Sequence, residues 1–298
     1  MMDLPTERGE APSLAFGGQA LIEGVMMRSR THVVMCVRQL NNEILTHTEE
    51  IHPISERHKV LRLPLLRGII ALFETFYLGV KGLYFSANAV LEEEEEFTYR
   101  EFAIAVAMAL ALTSFFIVVP FLLTTLLNLT GVVFNIIEAV VRLSIFLLYL
   151  ALVAMWGEFK RILQYHGAEH KAINAHEAGV TLNVVNVKRF SRLHPRCGTS
   201  FIFIVLIVSI LLFSIMPNLG LILRLSYRLL LIPVIGAISY ELLKLSDRYK
   251  DSTIMRILTI PGLAFQRLTT REPDDDMIEV AVKTVKEVRR LSGSQQQL

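Results

Sequence analysis

The sequence predicts an α-helical integral membrane protein: about four transmembrane helices, a small β-rich N-terminal cytoplasmic unit, a helical cytoplasmic His loop and a helical cytoplasmic tail. Three observations carry that expectation. First, 53% of the 298 residues are hydrophobic, above the roughly 45–50% of soluble domains, and the excess gathers in four stretches. Second, Lys and Arg collect before and between those stretches in an uneven way that fixes an orientation. Third, residues 31–51, THVVMCVRQLNNEILTHTEEI, read as two strand-like runs around Asn41 and Asn42, which tolerate the left-handed backbone of a hairpin turn. Six segments follow: 1–62, the β-rich unit; 63–96, an interfacial or half-buried helix; 97–156, a first transmembrane hairpin; 157–200, the His/Glu loop; 201–245, a second hairpin; and 246–298, the tail.

Taken in order, residues 1–15 are polar and carry no apolar core, so no cleaved signal peptide is expected. FGGQALIEGVMMR (16–28) sets three glycines around a short strand interrupted by Gln19 and Glu23. No G-K-[ST] follows, so it is not a phosphate loop. Glycines allow close backbone approach, and Gln19 and Glu23 are therefore candidate site residues. The helix at 63–91 is apolar, yet Arg67, Glu74 and Lys81 recur every seven residues. Each would cost about 2.5–3.5 kcal/mol at a bilayer centre. A helix lying in the interface, or half-buried on the bundle, is cheaper than a fifth span, and the acidic run 92–96 is a solvated cap.

Residues 102–127 hold no charge and exceed the roughly 20 residues a bilayer requires. Residues 132–156 form the second span, with Glu138 and Arg142 four apart and able to pair on one face. The intervening NLTG makes the two an antiparallel hairpin. Residues 201–216 and 229–243 are shorter candidates, with Arg224 and Arg228 in the connection between them. The 157–200 segment carries Lys160, Arg161, Lys171, Lys188, Arg189, Arg192 and Arg196 against three glutamates. That excess places it and both termini in the cytoplasm of a multi-pass inner-membrane protein. In the tail, LTIPGLAFQRL is Pro/Gly-broken and suited to lying against the membrane. EPDDDMIEVAVKTVKEVRRL is a helix with acid at its start, base at its end, and an apolar stripe of Ile278, Ala281, Val285 and Val288.

Chemistry concentrates in YHGAEHK, residues 165–171. On a helix over 158–178, stopped at Gly179, His166 and His170 share a face with Glu169 beside them. Two imidazoles one turn apart, with a carboxylate alongside, is how a helix presents ligands to Zn²⁺. H-x-x-E-H is also the pattern of inverted zinc peptidases, in which the glutamate takes a proton from metal-activated water. Gly167 inside the motif is a poor helix former and counts against this geometry. Glu177, His176, His194, Cys197 and Glu241 are the candidates for the remaining ligand. In HPRCGTS (194–200), Thr199 and Ser200 are good helix N-caps. Cys197, beside Arg196, sits where a thiolate is favoured, as a soft ligand, a nucleophile or a small turn residue. Cys36 is read as core. Two cysteines far apart exclude a disulfide framework and fit a reducing compartment.

GGQALIEGVMMR, RGIIALFETFYLGVKGL, YHGAEHKAINAHE, HPRCGTSF and QRLTTREPDDDMIEVA, in that order, resemble the YqhQ-like bacterial membrane proteins, from about Phe16 to Val282. The resemblance implies a metal-dependent enzyme and carries no substrate with it. The sequence therefore predicts a zinc-dependent, hydrolase-like site on the cytoplasmic face. His166 and His170 would be ligands, Glu169 the general base, and Glu177, His194 or Cys197 would complete the shell. The expected partners are membrane lipids and a lipid or membrane-peptide substrate, with no nucleic acid. A non-enzymatic scaffold or assembly factor is the rival reading and a transporter the third.

Overall fold

The computed structural model describes residues 16–54, 59–91, 98–195, 197–215, 220–249 and 252–294. The leader at 1–15, the acidic run at 92–96 and Arg196 lie outside these residues.

The N-terminal unit is a four-stranded antiparallel meander: β1 (Gly17–Leu21), β2 (Gly24–Arg28), β3 (His32–Arg38) and β4 (Ile44–Glu50), in that spatial order. Where the sequence suggests one short strand across 16–28, the chain folds back on itself. Leu21 pairs with Gly24, and Glu23 takes the turn at φ 50. The Arg161 guanidinium grips both Glu23 oxygens, and the Tyr165 hydroxyl donates to one of them. Those bonds hold a residue in a backbone region that L side chains enter reluctantly. Asn42 makes the β3–β4 turn at φ 70, as its residue type predicts.

Strand alternation gives this sheet two buried faces. Val25, Met27, Val34 and Cys36 face one core; Leu21, Met26, Val33, Met35 and Val37 face another. The second face is covered by α1 (Leu66–Leu91), through Leu78 and Ala89. By length and apolarity α1 could cross a membrane, with 22% of its apolar window buried inside the protein, and its heptad charges all find partners. Arg67 pairs with Glu241, Glu74 with Arg28 and Lys81 with Glu49.

Two further helices are long and apolar enough to cross a membrane: α2 (Tyr99–Thr125) and α3 (Gly131–Met155). Glu101 caps α2 by accepting from the Thr98 backbone N–H at 3.1 Å. α4 (Gly157–Glu177) follows directly and stops before Gly179, at φ 69. The short α5 (Val184–Lys188) and a loop lead to α6 (Gly198–Ser214), an apolar helix that begins three residues ahead of the expected span. The fourth expected span, 229–243, takes a different form. α7 (Leu221–Leu230) and α8 (Ile232–Arg248) together pass as one apolar span bent by 42°. Arg228 thus lies on a helix and is buried, because Glu138 meets it there. LTIPGLAFQRL is not broken either: α9 (Thr253–Thr269) runs through Pro261.

The tail helix α10 (Asp275–Ser294) buries the predicted stripe of Ile278, Ala281, Val285 and Val288. It covers the first sheet face together with Tyr165, Ala168, Ala172 and Ala175 of α4. The sheet, α4 and α10 therefore form one core, and α4 hands its opposite face to the site. Three to four apolar helices and this small sheet are compatible with a membrane protein.

Candidate metal centre

α4 works in two directions. Tyr165, Ala168, Ala172 and Ala175, at i, i+3, i+7 and i+10, give a small-residue face to the sheet. The side chains between them organise the loop before α6. Lys171 donates to the Lys188 and Phe190 carbonyls at 2.9 Å each. Asn174 donates to Ser191 at 2.8 Å and Leu193 at 3.1 Å. His170 Nδ1 meets the Arg192 carbonyl at 2.6 Å. The loop backbone is laid along the helix by side chains of the motif itself. Lys171 is buried and also pairs with Glu272 at 2.6 Å.

That loop delivers Cys197 to the histidines. Cys197 Sγ lies 3.2 Å from His166 Nε2, and the donor atoms of His166, His170 and Cys197 all lie within 4.8 Å of one another. Both imidazoles are oriented from behind. His166 Nδ1 is 2.8 Å from the Thr269 carbonyl and His170 Nδ1 is bonded to Arg192. A carbonyl only accepts, so each Nδ1 carries the hydrogen. Each Nε2 is then left with a lone pair directed at the cluster, the tautomer a metal requires. His170 is 1% exposed, and among the described residues its Nε2 makes no hydrogen bond of good geometry. Burial pushes the His170 pKa down. Cys197 pulls the other way, through a hydrogen-bond and a charge interaction with the ring.

Gly167 now has a reason to interrupt the helix. A Cβ there would stand closer than 3.0 Å to the Arg271 carbonyl oxygen. The linker from α9 to α10 crosses α4 at that point, and Arg271 N donates to the Leu163 carbonyl at 2.8 Å. This crossing brings Thr269 to His166. Gly18 has a matching role on β1, because a Cβ there would collide with the Glu169 carboxyl.

The remaining predicted residues divide. Glu169 is 4% exposed beneath β1, with Oε2 unpartnered. Burial raises its pKa, while the nearby His166 and His194 act to lower it. It is not among the three clustered donors. His194 stands beside the group, its ring 5.8 Å from that of His170, and its Nε2 lies 3.3 Å from Glu177 at the end of α4. His176 stacks on Phe16 at 4.9 Å, in the core under the sheet. Glu241 is held by Arg67. Gln19 reaches α1, donating to the Gly79 carbonyl at 3.4 Å, and Glu23 serves the hairpin turn. Cys197 itself takes the N-cap position of α6, ahead of Thr199 and Ser200.

Sequence reasoning missed the groups behind the histidines. Gln266 is wholly buried and brackets His194, accepting from its N–H at 2.8 Å and donating to its carbonyl at 2.7 Å. Arg192 donates to the Thr270 carbonyl. A polar Gln inside the apolar run GLAFQRL was the available signal.

The donors suit a transition metal. Two imidazoles and a thiolate are borderline-to-soft ligands that favour zinc-like ions. Donors at about 2.0–2.3 Å from one tetrahedral ion stand roughly 3.4–3.6 Å apart. The His166–Cys197 distance is already close to that, and the His170 Nε2 lone pair is buried in the same cluster.

A family model described as a protein of unknown function, DUF1385, matches residues 63–291. The "Uncharacterized protein YqhQ" of Bacillus subtilis (strain 168) is 35% identical over 309 aligned positions, covering 95% of each chain. No solved structure matches.

Proposed function

This chain belongs to the DUF1385, YqhQ-like family, and we propose that it is a multi-pass inner-membrane protein whose cytoplasmic face carries a zinc-dependent, hydrolase-like centre. The observation that carries the reading is the convergence of donor atoms from His166, His170 and Cys197 within 4.8 Å, with His170 1% exposed. Three protein ligands, those found among the described residues, would leave a fourth position for water or substrate, as in catalytic rather than structural zinc sites. When bound, the ion would supply Lewis acidity and a water acidified to near neutrality. The chain's own contribution is to hold both imidazoles in one tautomer through Thr269 and Arg192. Glu169 would supply a buried carboxylate as proton acceptor. Cys197 immediately precedes an apolar helix, so the site borders the membrane and would take a lipid or membrane-peptide substrate.

A second reading, a metal-stapled scaffold, is favoured by one observation. His194 and Glu177 pair next to the cluster, and His194 swung onto the ion would saturate it with protein ligands. Glu169→Gln separates the two. It keeps shape and a hydrogen bond but removes the base, a role typically worth 10²–10⁴-fold in rate. The enzyme reading expects Glu169→Gln to keep metal and fold yet fail to complement a deletion strain, whereas His170→Ala fails with metal lost. Wild-type complementation by Glu169→Gln at matched expression would leave the scaffold.

A further inference from the structure

On α3 and α7, away from the helix that carries the two histidines, the bundle buries a second set of charges. Glu138 and Arg228 are each 1% exposed. The two Glu138 oxygens go to different guanidinium groups, one to Arg142 on α3 and one to Arg228 on α7. Arg228 also donates to Asn135 Oδ1 at 3.0 Å, and its guanidinium lies over the Phe121 and Phe213 rings at 4.7 and 4.5 Å. Arg142 donates to Ser209 Oγ at 3.3 Å. Guanidinium stays protonated in proteins, so among the described residues two cations share one anion and one positive charge is left over. Neutral donors and acceptors do not cancel it. The Nε of each arginine also lacks a hydrogen-bond partner.

Two independent features point the surplus at a ligand. Arg228 stands three residues before Leu231, where α7 and α8 meet at 42°. α8 starts at that bend, and its N-terminus carries the positive end of the helix dipole. Arg224, one turn before Arg228, is half-buried with its guanidinium 5.5 Å from the Phe134 ring. It belongs to a helix whose Leu221, Ile222, Leu223 and Leu230 are exposed apolar side chains. Glu138 lies seven residues into α3 and Arg228 seven into α7, about 10 Å along each helix axis. A head-group phosphate is the anion within reach at that depth.

We propose that this end of the bundle binds a phosphate-type oxyanion. Arg224 meets the anion, while Arg142 and Arg228 supply the surplus charge that holds it. Arginine forks suit phosphate oxygens in pairs. Lipid head groups and free phosphate share this chemistry, and α7's apolar exposure favours the head group.

The test uses the full chain in detergent micelles, titrated with phosphatidylglycerol or phosphatidylcholine and read by native mass spectrometry. Inorganic phosphate is added as a third arm and read by thermal shift. We expect phosphatidylglycerol to be retained at least tenfold more than phosphatidylcholine. Displacement of that lipid by millimolar phosphate, with a raised melting temperature, would identify free phosphate as the ligand of the same site. Arg142→Gln leaves a neutral Glu138–Arg228 pair, so it removes the surplus without stranding a buried charge. Arg224→Gln removes the contact from a half-buried position. Each should cut phosphatidylglycerol retention about tenfold, and Arg224→Lys should restore part of it. Equal retention of the two lipids with no response to phosphate, or unchanged retention in both glutamine variants, overturns the proposal.

Discussion

Replacing Gly167 by alanine sets two physical effects against each other within one helix. On propensity alone the change should help, because Gly inside a helix costs about 0.8–1.0 kcal/mol relative to Ala. The packing says otherwise. The new Cβ would stand closer than 3.0 Å to the Arg271 carbonyl oxygen, and a backbone atom cannot rotate away. Relief requires the α9–α10 linker to lift off α4, which strains the Arg271 N–Leu163 O bond of 2.8 Å and draws the Thr269 carbonyl back from His166. Overpacking of this kind typically costs about 1–3 kcal/mol. Since it exceeds the propensity gain, Gly167→Ala should destabilise by roughly 1 kcal/mol, a fall in melting temperature of about 2–4 °C. It should also weaken metal retention, because His166 loses its orienting partner. Gly157 is the control, on the same helix with nothing within 4 Å of a built Cβ. Thermal melts of both variants with zinc and with chelator read both effects. A Gly167→Ala protein as stable as the wild type, with zinc held equally well, would refute the crossing as drawn.

Two further outcomes follow from groups around the centre. Gln266→Leu removes both bonds to the His194 backbone, a tie on the loop that carries Cys197, and should loosen metal retention; competition against a chromogenic zinc chelator measures it, and unchanged retention would remove Gln266 from the support of the centre. The His176 pKa is lowered by burial first and by Arg289 second. The folded protein therefore binds fewer protons there than the unfolded chain, so the stability this residue contributes is present above pH 6.5 and lost as pH falls below it. His176→Leu should flatten that acid limb in urea titrations between pH 7 and 5, and an unchanged slope would remove His176 as its source.

How far the sequence could be read depended on whether a feature was local. The β3–β4 hairpin, the 157–177 helix with its Gly179 stop, and the stripe on the tail helix rest on period and turn chemistry, and all were legible. The His166–His170 pair was legible for the same reason, being one helical turn apart. Cys197 could be named but not placed, because its approach depends on Lys171, Asn174 and His170 binding loop carbonyls. Backbone acceptors leave no trace in a residue pattern. Gly167 pointed the wrong way: propensity marks it as a flaw in the helix, whereas the linker crossing makes it a requirement. Arg228 was read as a loop charge because nothing in its neighbourhood announces Glu138, ninety positions earlier. Gln19 and Glu23 were drawn towards the site by their polarity, yet they secure the sheet to α1 and to Arg161.

Metal content per chain, in protein purified without chelator, decides whether His166, His170 and Cys197 hold an ion. About one zinc is expected in the wild type and in Glu241→Ala, whose carboxylate is committed to Arg67. Loss is expected in His166→Ala, His170→Ala and Cys197→Ser, with Cys197 alkylated rapidly only after chelation. Wild-type protein without bound transition metal, or full metal retention in the two histidine variants, would contradict that assignment.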